Sequence, residues 1–194
     1  VKFWGPSGWS LLHTLTLEKG HSAEKQELFS VFQDVLPCKY CRQSTSQFVK
    51  EMPPEPDLAY WLYKLHDRVN KKLEAQHYIN PKVPLPVPSP SFEEMVRHYK
   101  KRVPKLGWDF LYSVALNYDP KIHNKTSHER FWRALSVLYP TRIPRVGPNY
   151  FADVHSSLGD EEPLTEVYAR IRSHKSKCVK KTCRKTRRKT RTRK

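Results

Sequence analysis

Apolar residues recur at helical spacing through the first 75 residues, and prolines and capping residues cut the pattern into lengths too short for anything but a bundle. Leu11, Leu12, Leu15 and Thr16 share one helical face, which predicts a helix over residues 7–18 with Ser7 as its N-cap. Leu28, Phe29, Phe32 and Val35 predict a second, opened at Ser22 and stopped at Pro37. A third runs from about Cys38 to Lys50, and Pro53-Pro54-Glu55-Pro56 breaks the chain after it. Asp57 then caps a fourth that carries Leu58, Trp61, Leu62, Leu65, Val69 and Leu73. No segment alternates with period two for long. The pattern predicts an all-α fold, with an antiparallel four-helix bundle over residues 1–80.

Prolines at 81, 84, 86, 88 and 90 make the next stretch a stiff, extended linker, and a short helix from Phe92 to Lys101 follows it. The opening pattern then recurs. Gly107-Trp108-Asp109-Phe110-Leu111 lies over Gly8-Trp9-Ser10-Leu11-Leu12, and the match extends to Leu116 over Leu17. Phe131-Trp132 and Val137-Leu138-Tyr139-Pro140 echo Phe29 to Phe32 and Val35-Leu36-Pro37. Residues 105–172 are therefore expected to form a degenerate second copy of the bundle, with 163–172 as counterpart of the fourth helix. Two amphipathic helices of like composition give the same match without a repeat, and that alternative stays open here. Residues 81–104 form the linker and short helix in this division, and 173–194 the tail.

The formal net charge of +17 is unevenly spread. Thirteen of the 36 Lys and Arg residues, and no Asp or Glu, fall from Arg172 onward, leaving 23 basic residues against 19 acidic ones before it. A like-charged run of this kind is expected to be disordered and to bind polyanions, nucleic acid or an anionic surface, without sequence preference. It has no interleaved aromatics for stacking on bases, so it suits an anchor better than a reader. No stretch approaches the ~20 apolar residues of a membrane helix. Val1-Lys2-Phe3-Trp4 resembles neither a secretory signal nor a transit peptide.

Four cysteines form two close pairs, Cys38/Cys41 and Cys178/Cys183. Two thiols at a helix start can close a disulfide within one turn, and the free N–H groups and helix dipole there favour thiolates. Lys39 and Arg42 add positive potential. The spacing also suits a zinc half-site, which Cys178 and Cys183 would complete as a four-cysteine set. His66, Val69, Asn70 and Leu73, at i, i+3, i+4 and i+7, place polar and apolar groups on one helix face, as a pocket for a planar, polar-edged ring requires. Trp9 and His13 form a similar i, i+4 pair.

The order Trp4-Gly5-Pro6-Ser7-Gly8-Trp9-Ser10-Leu11-Leu12-His13, then Cys38-Lys-Tyr-Cys41, then His66-Asp-Arg-Val69-Asn70-Lys-Lys-Leu73 resembles the Erv/ALR family of FAD-linked sulfhydryl oxidases. The likeness covers about residues 4–82 and favours a redox pair over zinc. It implies that Cys41 is the thiol beside the flavin ring and that Cys38 exchanges with incoming disulfides. It also implies an FAD site lined by Gly5, Trp9, His13, Cys41, His66, Val69, Asn70 and Leu73. Lys72, Tyr78 and Lys82 fall where relatives place basic and aromatic residues against the nucleotide part. Cys178/Cys183 is a candidate shuttle pair, and no resident metal is expected. The activity implied is formation of disulfides in protein thiol substrates, with electrons passing to dioxygen to give hydrogen peroxide.

The chain departs from the family in two respects. Tyr78-Ile79-Asn80 stands where cellular members often carry a cysteine of an extra structural disulfide. Members also often dimerise through their first helices. A second copy within the chain is expected to take the partner's place, giving a monomeric pseudo-dimer, with a homodimer as alternative. The missing disulfide, the short bundle and the basic tail resemble the oxidases of large cytoplasmic DNA viruses. That implies host cytoplasm and virion as the setting, with the mitochondrial intermembrane space as the alternative.

Overall fold

The computed structural model describes residues 3–101, 106–139 and 163–173. Among these residues there are helices and no strand: α1 Gly5–Leu17, α2 Ser22–Val35, α3 Lys39–Glu51, α4 Leu58–Ile79, α5 Phe92–Tyr99, α6 Trp108–Asn117, α7 Lys125–Leu138 and α8 over 164–173. The expected all-α helical fold is what is observed. Helix α1 packs on α4, α2 on α3 and α3 on α4. Cys178 and Cys183, the basic tail beyond residue 173 and residues 140–162 lie outside the described residues.

Local chemistry sets the ends. Asp57 caps α4 as predicted, its Oδ1 accepting the amide of Tyr60 at 3.0 Å. The Trp61 indole donates to the Met52 carbonyl at 2.9 Å, tying α4 to the end of α3 across the proline break. Ser91 and Glu94 form a reciprocal capping box that starts α5. One expectation is corrected: α1 begins at Gly5, and Ser7 does not cap it. Pro6, in the first turn, has its φ preset for helix and lacks an N–H that would need a partner. The Ser7 hydroxyl instead accepts the amide of Phe110, in the first turn of α6, at 3.3 Å. Gly107 is the N-cap of α6 and has no side chain to supply that bond, so a serine more than a hundred residues upstream supplies it.

The proline-rich stretch is extended and lies along α4. His77 Nδ1 meets the Val83 carbonyl at 2.6 Å, Asn70 donates to Ser89 Oγ at 3.2 Å, and Tyr63 donates to the Pro90 carbonyl at 2.8 Å. Val83, Pro86 and Ser89 are half-buried, while the residues between them are exposed. A burial period of three is what a polyproline II helix gives when one edge rests on a surface. The linker is thus a strap along α4.

Helix α6 packs on α1 and α7 on α2, the latter being the most extensive helix pairing. Arg130 forks onto Glu27 and Ser127 donates to Asp34 Oδ2 at 2.6 Å across that seam. Leu11, Leu15, Phe29, Phe32 and Trp61 join Phe110, Leu111, Phe131, Leu135 and Tyr168 in one connected apolar cluster. Each fully buried Leu or Phe in it contributes about 1.5–3 kcal/mol. The closest approach is at Gly107, where φ is +71° and an added Cβ would stand 2.7 Å from Leu11. Gly20 has a similar φ of +77° with nothing within 4 Å. Gly20→Ala should therefore cost only backbone strain, about 1 kcal/mol, and Gly107→Ala at least ~2 kcal/mol because α6 must also lift from α1. Urea unfolding measures both, and equal losses would mean that the two helices are not in close contact there.

A dithiol beside an apolar cavity

Cys38 is the N-cap of α3, with extended backbone angles, and its Sγ accepts the amide of Cys41 at 3.4 Å. Both cysteines are unbonded and half-buried. Burial works to raise the Cys38 thiol, but donation from the Cys41 thiol and from the amides of Cys41 and Tyr40 outweighs it and brings Cys38 below the ordinary thiol range. Burial pushes Cys41 the other way, up to about 12, reinforced by its hydrogen bond to Cys38 and by charge on that sulfur. Lys72 partly offsets this. One geometry thus splits the pair: Cys38 is the more acidic thiol and the better leaving group, and Cys41 holds its proton more tightly. The Arg42 guanidinium donates to the Leu36 carbonyl at 2.7 Å, bracing the bend that presents Cys38.

Both cysteines line a cavity of about 320 Å³ between α1, the end of α2, α3, α4 and α6. That volume is at the low end for small-molecule sites, the size of a ring system and not of a whole dinucleotide. Gly5 and Trp9 come from α1, and Val69, Lys72, Leu73 and Gln76 present one face of α4 at i, i+3, i+4 and i+7. Thr45 and Phe48 form the α3 side. The walls are mostly apolar, with Lys72 and Gln76 as the polar exceptions on α4.

His13 and His66 stand behind Trp9. The indole stacks on His66 with centroids 3.9 Å apart and planes 12° apart. His66 Nδ1 meets His13 Nε2 at 3.0 Å, and Tyr99 of α5 stacks on His13 at 4.5 Å. Burial, with the neighbouring His66 and His98, lowers His13 to about 3, and burial lowers His66 to about 4, so both rings are neutral near neutral pH. His13 Nδ1 is buried and has no hydrogen-bond partner among the described residues. A buried orphan costs about 1–3 kcal/mol unless something meets it. The Trp9 indole, the thiol sulfurs and the Lys72 and Gln76 side chains together fit a planar ring with polar edges.

The structure brings together Gly5, Trp9, Cys38, Cys41, Val69, Lys72 and Leu73 of the residues singled out from sequence. His13 and His66 adjoin the cavity through Trp9. Asn70 faces the strap and holds Ser89. Tyr78 is 74% exposed, with its hydroxyl donating to Glu74 and its ring edge-on to His77, and Lys82 is exposed beside Asn80. Sequence reasoning missed Phe110, Tyr99, Thr45 and Phe48. The first two come from beyond the linker or at its far end, and no local pattern ties them to the cysteines. Gln76 was readable as the next i+3 position after Leu73.

The split between the thiols is measurable. With limiting iodoacetamide on the reduced protein, Cys38 should label at least ~10-fold faster than Cys41 near neutral pH. Its labelling should persist at lower pH than that of an ordinary cysteine, whose pKa is about 8.5. Peptide mass mapping reads both, and equal rates at the two positions would contradict the N-cap geometry.

Residues 6–85 match the model of the Erv1 / Alr family. No curated protein and no solved structure matches the chain. The segment that carries both thiols, the His13–His66 pair and the α4 face of the cavity is thus similar to the Erv1 / Alr family, known for FAD-linked sulfhydryl oxidases.

Proposed function

We propose that the chain is an FAD-linked thiol oxidase that forms disulfides in protein substrates. The observation that carries this reading is the divided dithiol at the wall of an aromatic, ring-sized cavity. Trp9, Cys41, Val69 and Leu73 would hold the flavin ring, His13 and His66 would back the Trp9 wall, and Lys72 would face the polar side. What a flavin supplies when bound is an acceptor for the electron pair of the dithiol and a route to dioxygen, which leaves as hydrogen peroxide.

The protein's own steps are thiol–disulfide exchanges. A substrate thiolate attacks the Cys38 sulfur of the oxidised pair, breaking the Cys38–Cys41 bond and forming a mixed disulfide. The second substrate thiol then displaces Cys38, which leaves as a thiolate held by the Cys41 and Tyr40 amides. Two protons and two electrons have then moved from substrate to the pair. Cys178 and Cys183 would serve as a tethered relay that raises the effective concentration of dithiol at Cys38. The basic tail would anchor the enzyme to a polyanion. The pairing of α6 with α1 and of α7 with α2 supports a pseudo-dimer within one chain. The absent extra disulfide and the tail support an oxidase of the large-DNA-virus type, acting in cytoplasm and virion.

The purified protein should be yellow, with absorbance near ~450 nm. It should consume oxygen with a small dithiol, and Cys38→Ser or Cys41→Ser should lower that rate at least ~100-fold. Replacing Cys178 and Cys183 by Ser should slow oxidation of a protein substrate and leave a small dithiol unaffected. A colourless protein holding a tight metal ion would overturn the reading.

The pseudo-dimer has its own measurement. Sedimentation equilibrium should return one chain mass, 23.0 kDa, at all loading concentrations. A stable homodimer burying α1 and α2 would exclude it.

A further inference from the structure

One wall of the dithiol cavity comes from beyond both the family match and the strap. Phe110, in the first turn of α6, is fully buried and lines the cavity that Cys38 and Cys41 line. Three contacts fix its place. Its amide donates to Ser7 Oγ at 3.3 Å. Gly107, just before it, lets α6 approach Leu11 of α1 more closely than any Cβ would allow. Its ring lies on Gly8, where an added Cβ would stand 3.2 Å from Phe110 Cδ2. Trp4, also on the cavity, has its centroid 5.9 Å from the Phe110 ring, and Phe131 of α7 meets that ring edge-on at 6.4 Å. Phe110 therefore stands between the cavity and the core of the later helices.

We infer that Phe110 is a positioning residue of the redox site: it closes the inner end of the cavity, sets how deep a planar ring can enter and keeps water from the space that Cys41 shares. The physical basis is packing. A ring wall in van der Waals contact gives a planar ligand dispersion partners on that side, and a shortened side chain leaves a gap with none. A closed apolar wall also keeps the cavity dry, which favours the neutral thiol at Cys41. The depth argument rests on the flavin reading, and the water argument does not.

Phe131 supplies the control. It is as deeply buried, touches Phe110 and does not line the cavity. Phe110→Leu and Phe131→Leu are compared in the full chain by urea midpoint, by FAD fluorescence titration and by the alkylation rate of Cys41 in the reduced, flavin-free protein. Both variants should lower the urea midpoint. Only Phe110→Leu should weaken FAD retention, by about tenfold, and speed Cys41 alkylation severalfold. Equal effects of the two variants on both site readouts would overturn the assignment and leave Phe110 as plain core. Should Phe110→Leu fail to fold, Phe110→Met, which fills more of the same space, is read in the same way. It must then move the same two readouts, and no movement overturns the inference. A wild-type chain that takes up no FAD sinks the flavin reading, while the alkylation arm still decides the role of Phe110.

Discussion

Helix α1 carries three packed neighbours. It packs on α4, on α5 and on α6, and Gly5, Gly8, Leu11, Leu12, His13 and Leu15 are all buried. A helix of 13 residues with that many neighbours must satisfy each with a different face, and only the stripe through Pro6, Ser10 and Thr14 is left open. Gly8 yields to Phe110, Leu11 receives Gly107, His13 meets His66 and Tyr99, and Trp9 covers His66 and borders the cavity. The glycines make this crowding workable, because α6 can sit close only where a Cβ is missing. The dithiol cavity and the core of the later helices therefore both build on this one helix.

The chemistry of the dithiol follows from where a helix begins. A sulfur at the N-cap receives backbone N–H groups that have no partner inside the helix. A sulfur one turn later is turned inward and loses water. The same bend that lowers the Cys38 pKa therefore raises that of Cys41. Proline at 37 fixes the bend by ending α2, and Arg42 braces it through the Leu36 carbonyl.

Much of this was readable from the chain. Helical periodicity, proline breaks and the Asp57 cap located α2, α3 and α4 closely, because those signals act over a few residues. The extended character of residues 81–90 followed from proline content, but its path along α4 did not, since that depends on His77, Asn70 and Tyr63 meeting it. Asn70 shows the limit well. Its place in a motif marks it as important, and its partner Ser89 lies nineteen residues away on a segment with no cavity contact. Ser7 is a similar case: a serine before a helical pattern reads as that helix's cap, and here it serves another helix.

The sequence by itself determined an all-helical chain, the placement of two thiols at a helix start and the run of aromatic and imidazole groups meant to lie together, because turn chemistry and side-chain period are local. Tertiary structure alone decided which face of α4 lines the cavity, that Ser7 and Gly8 serve α6, and that Phe110 closes the site. Those outcomes depend on how closely two helices a hundred residues apart can approach. That distance is set by the side chains both present at the contact, and neither segment carries it alone.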